Sequence, residues 1–203
     1  WWSDQPVVKI ARRVTEVIDT SELPTMVGVA MPQPKGPGVL ADWTPANSAP
    51  HTEKVEVYAN APEVELFLNG QSLGKKPRNA DDSASTWDVA YAPGSLKAVG
   101  YKDGKAVAQD ELKTAGAAAA IRLVVEQTAI APTFDDIGYI RAEIVDAKGI
   151  VVPTANSELT VSVAGSGTLA AFDNGSPTDH TAFTAPTRQA WNGHALIMVR
   201  ASD

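Results

Sequence analysis

Residues 172–183 read FDNGSPTDHTAF. Asp173, Asn174, Asp179 and His180 stand there beside Ser176, Thr178 and Thr181, around Gly175 and Pro177. Carboxylates, an imidazole and hydroxyls at this density could bind a sugar hydroxyl or a calcium ion. Calcium takes six to eight oxygens, usually from several carboxylates. Two aspartates with hydroxyls and carbonyls could supply them, although the EF-hand spacing is missing. Asp173-Asn174-Gly175 is also a strong turn signal, because Asn and Gly accept positive φ. Three readings therefore stand for this stretch: a structural turn, a ligand-contacting loop, or a metal site.

Other chemistry finds less support. His51, His180 and His194 are scattered and lack zinc-site spacing. No H-E-x-x-H, phosphate loop, G-x-G-x-x-G or G-x-S-x-G occurs. Glycosidases use paired carboxylates, and Glu63/Glu65, Asp81/Asp82, Asp110/Glu111 and Asp135/Asp136 are pairs by position. Glu63 and Glu65 share a strand face opposite Val64, Leu66 and Leu68, which turns them to solvent. The other pairs sit at turns or strand ends. The chain has no cysteine, which excludes disulfides, thiolate metal sites and cysteine nucleophiles. A net charge of −7 argues against a nucleic-acid partner, and no apolar run is long enough for a membrane helix. No cofactor is expected.

The elements that must carry these residues are strands. VEVYANAPEVELFLNG places Val55 and Val57 on one face, then Val64, Leu66 and Leu68, and ends in the hairpin signal Asn69-Gly70. STWDVAY, LKAVGYK and KAVAQDEL follow, with turns at Pro93-Gly94 and Asp103-Gly104. After TAGAAAA the runs IRLVVEQ, GYIRAEIVD, IVVP, ELTVSVA, TLAAFD and HALIMVR continue the pattern, with a turn at Lys148-Gly149. Short alternating strands and frequent turns predict an all-β chain of two immunoglobulin-like β-sandwich domains in tandem. The expected boundaries are a lead-in and Pro-rich loop over 1–52, packed on and continuous with a first sandwich over 53–113. A junction over 114–120 precedes a second sandwich over 121–203. Trp43 lies in the Pro-rich loop, either exposed for a sugar ring or plugging the sandwich edge. The chain opens WWSDQPVVKI without methionine. This leads us to expect a piece of a longer chain, with Trp1 and Trp2 packing against something outside it.

Several of these motifs, in order, resemble the C-terminal region of glycoside hydrolase family 2 enzymes, the β-galactosidase-like group. WWSDQPVVKIARR resembles the segment after the catalytic barrel. VEVYANAPEVELFLNGQSLGKK with WDVAYAPGSLKAVGYKDGKAVAQDELKTAG resembles the first accessory sandwich. IRLVVEQTAI, AEIVDAKGIVVPTANSELTVSVAGSGTLAAFDNGSPTDHTAF and RQAWNGHALIMVRAS resemble the last accessory domain. The resemblance implies a parent that is a retaining β-glycosidase, periplasmic or secreted, with its catalytic glutamates on a barrel this chain lacks. No glutamate here matches the family's catalytic motifs, so the chain itself is expected to be catalytically inactive. Its implied partner is the barrel of the same parent chain, with carbohydrate and an oligomer interface as further options. The candidate carbohydrate or interface contacts are Trp43, Asp173, Asn174, His180, Arg188 and Trp191. A carbohydrate-binding pair and an adhesion scaffold of immunoglobulin-like repeats remain the alternatives.

Overall fold

The computed structural model describes residues 5–14, 38–133 and 136–201; Trp1, Trp2 and the start of the Pro-rich stretch lie outside them. The chain divides into two compact units between Thr114 and Ala115. In the first unit the strands are β1 (Val8–Val14), β2 (Gly38–Leu40), β3 (Thr52–Ala59), β4 (Glu63–Leu68), β5 (Gln71–Pro77), β6 (Ser85–Ala90), β7 (Ser95–Lys102) and β8 (Lys105–Lys113). They form two antiparallel sheets in the orders β2-β1-β3-β6 and β5-β4-β7-β8. The period-two pattern accounts for this pairing. Val55, Val57, Val64 and Leu66 all point inward, and they meet Ile10, Trp87, Leu96 and Ala98 in one apolar core drawn from both sheets. Asn69-Gly70 and Asp103-Gly104 close the β4–β5 and β7–β8 hairpins with both residues at positive φ, as a tight hairpin turn requires.

One feature of this unit departs from the expectations, and a second decides between two readings. The sandwich does not begin at residue 53: β1 is an interior strand, paired with both β2 and β3. Trp43 is fully buried in the core, and its indole N–H donates to the Ala92 carbonyl at 3.0 Å. It has no exposed face for a sugar ring. It packs instead at 5.2 Å from Tyr91, whose other neighbour is His51, also at 5.2 Å.

A buried ionic group sits beside this aromatic row. Arg12 bonds Asp42 at 3.0 Å and Glu53 at 3.4 Å, and Glu53 takes a 2.7 Å hydrogen bond from His51 Nε2. Two carboxylates facing one guanidinium and one imidazole offset the desolvation of each.

The second unit contains β9 (Ala118–Val125), β10 (Gly138–Asp146), β11 (Glu158–Thr160), β12 (Gly167–Asp173), β13 (Thr187–Gln189) and β14 (His194–Ala201). One sheet has the order β12-β14-β10-β9, and β11 and β13 form a two-stranded ribbon. Ala142, Ile144, Leu159, Phe172, Ala190, Ala195 and Ile197 make the core between them. Within the alanine run, Ala118–Ala120 belong to β9 and not to a junction. Backbone pairing with β10 outweighs the helical preference of alanine, which is weak in so short a run. Ile121, Leu123 and Val125 lie opposite Ile144, Ala142 and Ile140, on the core side of the sheet. They are nonetheless 57%, 58% and 49% exposed, because the short ribbon does not cover this edge. Asp146 shapes the next turn. It accepts hydrogen bonds from the backbone of Gly116, Lys148 and Ile150, and the Gly116 and Ile150 amides above all hold its carboxyl below the usual range.

His51 makes the first unit sensitive to pH. Its pKa is raised, chiefly by the hydrogen bond to the Ala49 carbonyl and then by the bond to Glu53. Below the unfolded value of about 6.5 the ring is charged in both states and the stabilisation is complete. As pH rises through the raised folded value, that contribution is lost. The urea midpoint of the first unit should therefore fall as pH is raised above about 6.5, and His51→Gln should flatten that slope. An unchanged slope in the variant would place the pH dependence elsewhere.

Candidate functional site

The stretch 172–183 leaves the end of β12 and returns to β13. Phe172 is fully buried and anchors its start, and its N–H donates to the Phe183 carbonyl at 2.7 Å, which brings the two ends together. Within the loop, Asp173 Oδ1 accepts from the Asn174 N–H at 2.8 Å. Asn174 Oδ1 accepts from the Ser176 N–H at 2.9 Å, an Asx turn around Gly175, whose φ is +73°. Asn174 Nδ2 donates both its protons, to Asp179 Oδ2 at 2.8 Å and to the Gln189 carbonyl at 2.9 Å.

Arg188, from β13, holds the loop from beneath. It is 3% exposed. Nη1 bonds Asp179 Oδ2 at 2.7 Å, and Nη2 donates to the carbonyls of Thr181 at 2.7 Å and Ala182 at 3.2 Å. Asp173 lies 3.8 Å from Nη1, and the Phe183 ring stacks 5.6 Å from the guanidinium. Asp179 also accepts the Thr181 N–H at 2.9 Å. Its carboxyl is held below the usual range, first by hydrogen bonds from the Thr181 hydroxyl and N–H and then by the Arg188 charge.

Trp191 forms the other wall. It pairs with His194 across a tight turn in which Asn192 and Gly193 both have positive φ. A side chain at Gly193 would meet the Val152 carbonyl at 2.4 Å, so only glycine fits this turn. Between Trp191 and the loop lies a cavity of about 350 Å³. Asn174, Ser176, Thr178 and Asp179 line it from the loop, and Asn156, Gln189 and Trp191 from the facing side.

Among the residues singled out from the sequence, Asp173, Asn174, Arg188 and Trp191 come together here. Only Asn174 and Trp191 of these line the cavity. Asp173 and Arg188 do not line it and instead contact the loop from which its wall is built. His180 is exposed on the same loop and does not line it. Trp43 is buried in the other unit. Asn156 and Gln189 were not identified from sequence, since single amides in TANSE and RQAW form no pattern. No cluster of three or more metal-ligating side chains exists among the described residues. Asp179, the only carboxylate among the described residues on the cavity, is already taken by Arg188.

Residues 121–203 match the family described as glycoside hydrolase family 2 C-terminal domain 5. The second unit is a glycoside hydrolase family 2 C-terminal domain. Residues 52–108, in the first unit, match a domain of unknown function, DUF4982. The chain is 33% identical over 162 residues to the β-galactosidase BoGH2A of Bacteroides ovatus, covering 78% of this chain and 18% of that protein. A solved glycosyl hydrolase family 2 member from Bacteroides cellulosilyticus is similar at 36% identity and a TM-score of 0.82, over 99% of this chain and 26% of that one. A β-glycosidase from Bacteroides vulgatus is similar at 29% identity and a TM-score of 0.80, over 100% of this chain and 22% of that one. The chain thus spans about a quarter or less of each relative's length.

The clamp in the family 2 domain has a measurable energy. Arg188→Met leaves Asp179 without its cation and the Thr181 and Ala182 carbonyls without a donor. Removing one partner of a buried pair costs about 3–5 kcal/mol. Urea unfolding should show a loss of that size confined to the second unit's transition; a change below about 0.5 kcal/mol would mean the clamp carries no stability.

Proposed function

We propose that this chain is a non-catalytic accessory region of a family 2 β-glycosidase, its two β-sandwich units supporting a catalytic barrel elsewhere in the parent protein. The observation that carries this reading is the family 2 C-terminal match over 121–203 together with the small share of each relative that the chain spans. The carboxylates support it. A retaining glycosidase needs one carboxyl kept protonated near neutral pH and a second about 5 Å away. Asp81, Glu111, Asp146 and Asp179, the carboxyls with displaced pKa values among the described residues, are all shifted down. Two of the four pairs noted in the sequence are committed elsewhere, and Asp135 of a third lies outside the described residues. Glu63 faces Lys75 at 3.7 Å, and Glu65 accepts from Ser72 at 2.7 Å. Asp110 accepts the Ile10 N–H at 2.9 Å, and Glu111 accepts from Ser95 at 2.6 Å.

The β9 edge supports the accessory role further. Ile121, Leu123 and Val125 form an open apolar row on a sheet's core side, the kind of surface that gains by burial against more protein.

The purified chain should release no nitrophenol from p-nitrophenyl β-D-galactoside or β-D-glucuronide. Turnover that co-purifies with the chain and disappears when the chain is thermally unfolded would overturn this reading.

A further inference from the structure

The polar groups around the Trp191 cavity fall into two sets. Asn174 and Asp179 are spent on the loop itself: both Asn174 amide protons are donated, and Asp179 serves Asn174, Thr181 and Arg188. The side-chain amides of Asn156 and Gln189 and the indole N–H of Trp191 are not spent, having no partner among the described residues. The Ser176 and Thr178 hydroxyls contact only one another and the Thr178 N–H.

This division selects a ligand class. No lysine, arginine or histidine among the described residues lines the cavity, so none of them would pair there with a phosphate or carboxylate. Its one carboxylate is neutralised by Arg188, which leaves little for a cation or metal. What remains is a set of uncharged amides and hydroxyls beside a half-buried aromatic ring. An amide offers donors and an acceptor at fixed separation, matching adjacent hydroxyls that both donate and accept. An indole face suits the apolar C–H face of a pyranose. A cavity of about 350 Å³ is at the small end of ligand sites, enough for a sugar unit. The loop is already held by Arg188 and Trp191 by the Asn192-Gly193 turn, so the side chains left for binding to order are chiefly Asn156 and Gln189.

We propose that this cavity is a saccharide site that takes a neutral hexopyranose unit, with Trp191 stacked on the ring and Gln189 and Asn156 bonded to its hydroxyls. The family 2 domain then carries a sugar contact of its own, in addition to any support it gives a catalytic barrel. Asp173, Arg188 and Asn174 act as positioning residues that hold the loop.

The test is a heteronuclear NMR titration of the whole chain with methyl β-D-galactopyranoside and methyl β-D-glucopyranoside, with sodium glucuronate and calcium chloride as comparators. Binding does not depend on hydrolysis, so its outcome and that of the nitrophenyl assay are separable. The expected result is a saturable shift of the Trp191 indole and the Gln189 and Asn156 side-chain amides with one of the neutral glycosides, with a dissociation constant of about 1 mM. Gln189→Ala and Asn156→Ala change exposed side chains and should fold normally, and each should weaken binding about tenfold. Trp191→Ala should abolish it. The proposal is overturned if neither glycoside shifts these signals, if binding is unchanged in both alanine variants, or if only glucuronate or calcium binds.

Discussion

The buried guanidinium of Arg188 is the constraint on which the second unit's loop end depends. A charged side chain removed from water is costly unless its donors are met. Here the planar fork reaches a carboxylate and two backbone carbonyls at once, which a point-charge ammonium would not do. Those acceptors all belong to residues 179–182, so satisfying Arg188 and folding the loop are one event. Nε is left without a partner among the described residues, a cost of about 1–3 kcal/mol that the remaining bonds must offset. The cavity follows from this clamp. With Asp179 fixed, Asn174 is fixed, and the polar rim facing Trp191 has a single shape.

The first unit uses the same device differently. Arg12, Asp42 and Glu53 form a largely buried ionic group along the edge of an apolar core, with the half-buried His51 bonded to Glu53. It ties β1 to β3 and to the loop that carries Trp43. That loop has little regular hydrogen bonding, and Trp43 secures it by filling the core and bonding Ala92. Thr114 adds a second tie, its hydroxyl donating to the Trp43 carbonyl at 2.9 Å.

Much of the fold was legible in the sequence because the strongest signal, alternation punctuated by Asn-Gly and Asp-Gly, depends on local geometry. β3, β4, β6, β7, β8, β10, β12 and β14 follow that signal closely. What escaped depends on distant partners. β1 reads as a lead-in by its resemblance to the segment after the barrel, and its three cations in VKIARRV give no sign of a buried strand. Arg12 is buried only because Asp42 and Glu53, 30 and 41 residues on, close around it. The Pro-rich loop leaves Trp43 open to two readings, exposed or plugging the sandwich, and what decides between them is a core assembled from β1 before it and from β3, β4, β6 and β7 after it. β13 is three residues long, too short for a period to show. In the site, the loop and its turn were readable. The division between residues that hold the loop and residues that face the cavity was not, since it depends on which side of β13 each side chain leaves.

Native-state amide hydrogen exchange of the loop tests this account most directly. The N–H groups of Ser176 and Thr181, bonded to Asn174 and Asp179, should be protected in the intact chain nearly as well as the amides of β12. In Asp179→Asn their protection should fall selectively, while β14 amides keep theirs. Exchange of Ser176 and Thr181 at the rate of free amides in the intact chain would contradict a loop held by Arg188, and with it a preformed cavity.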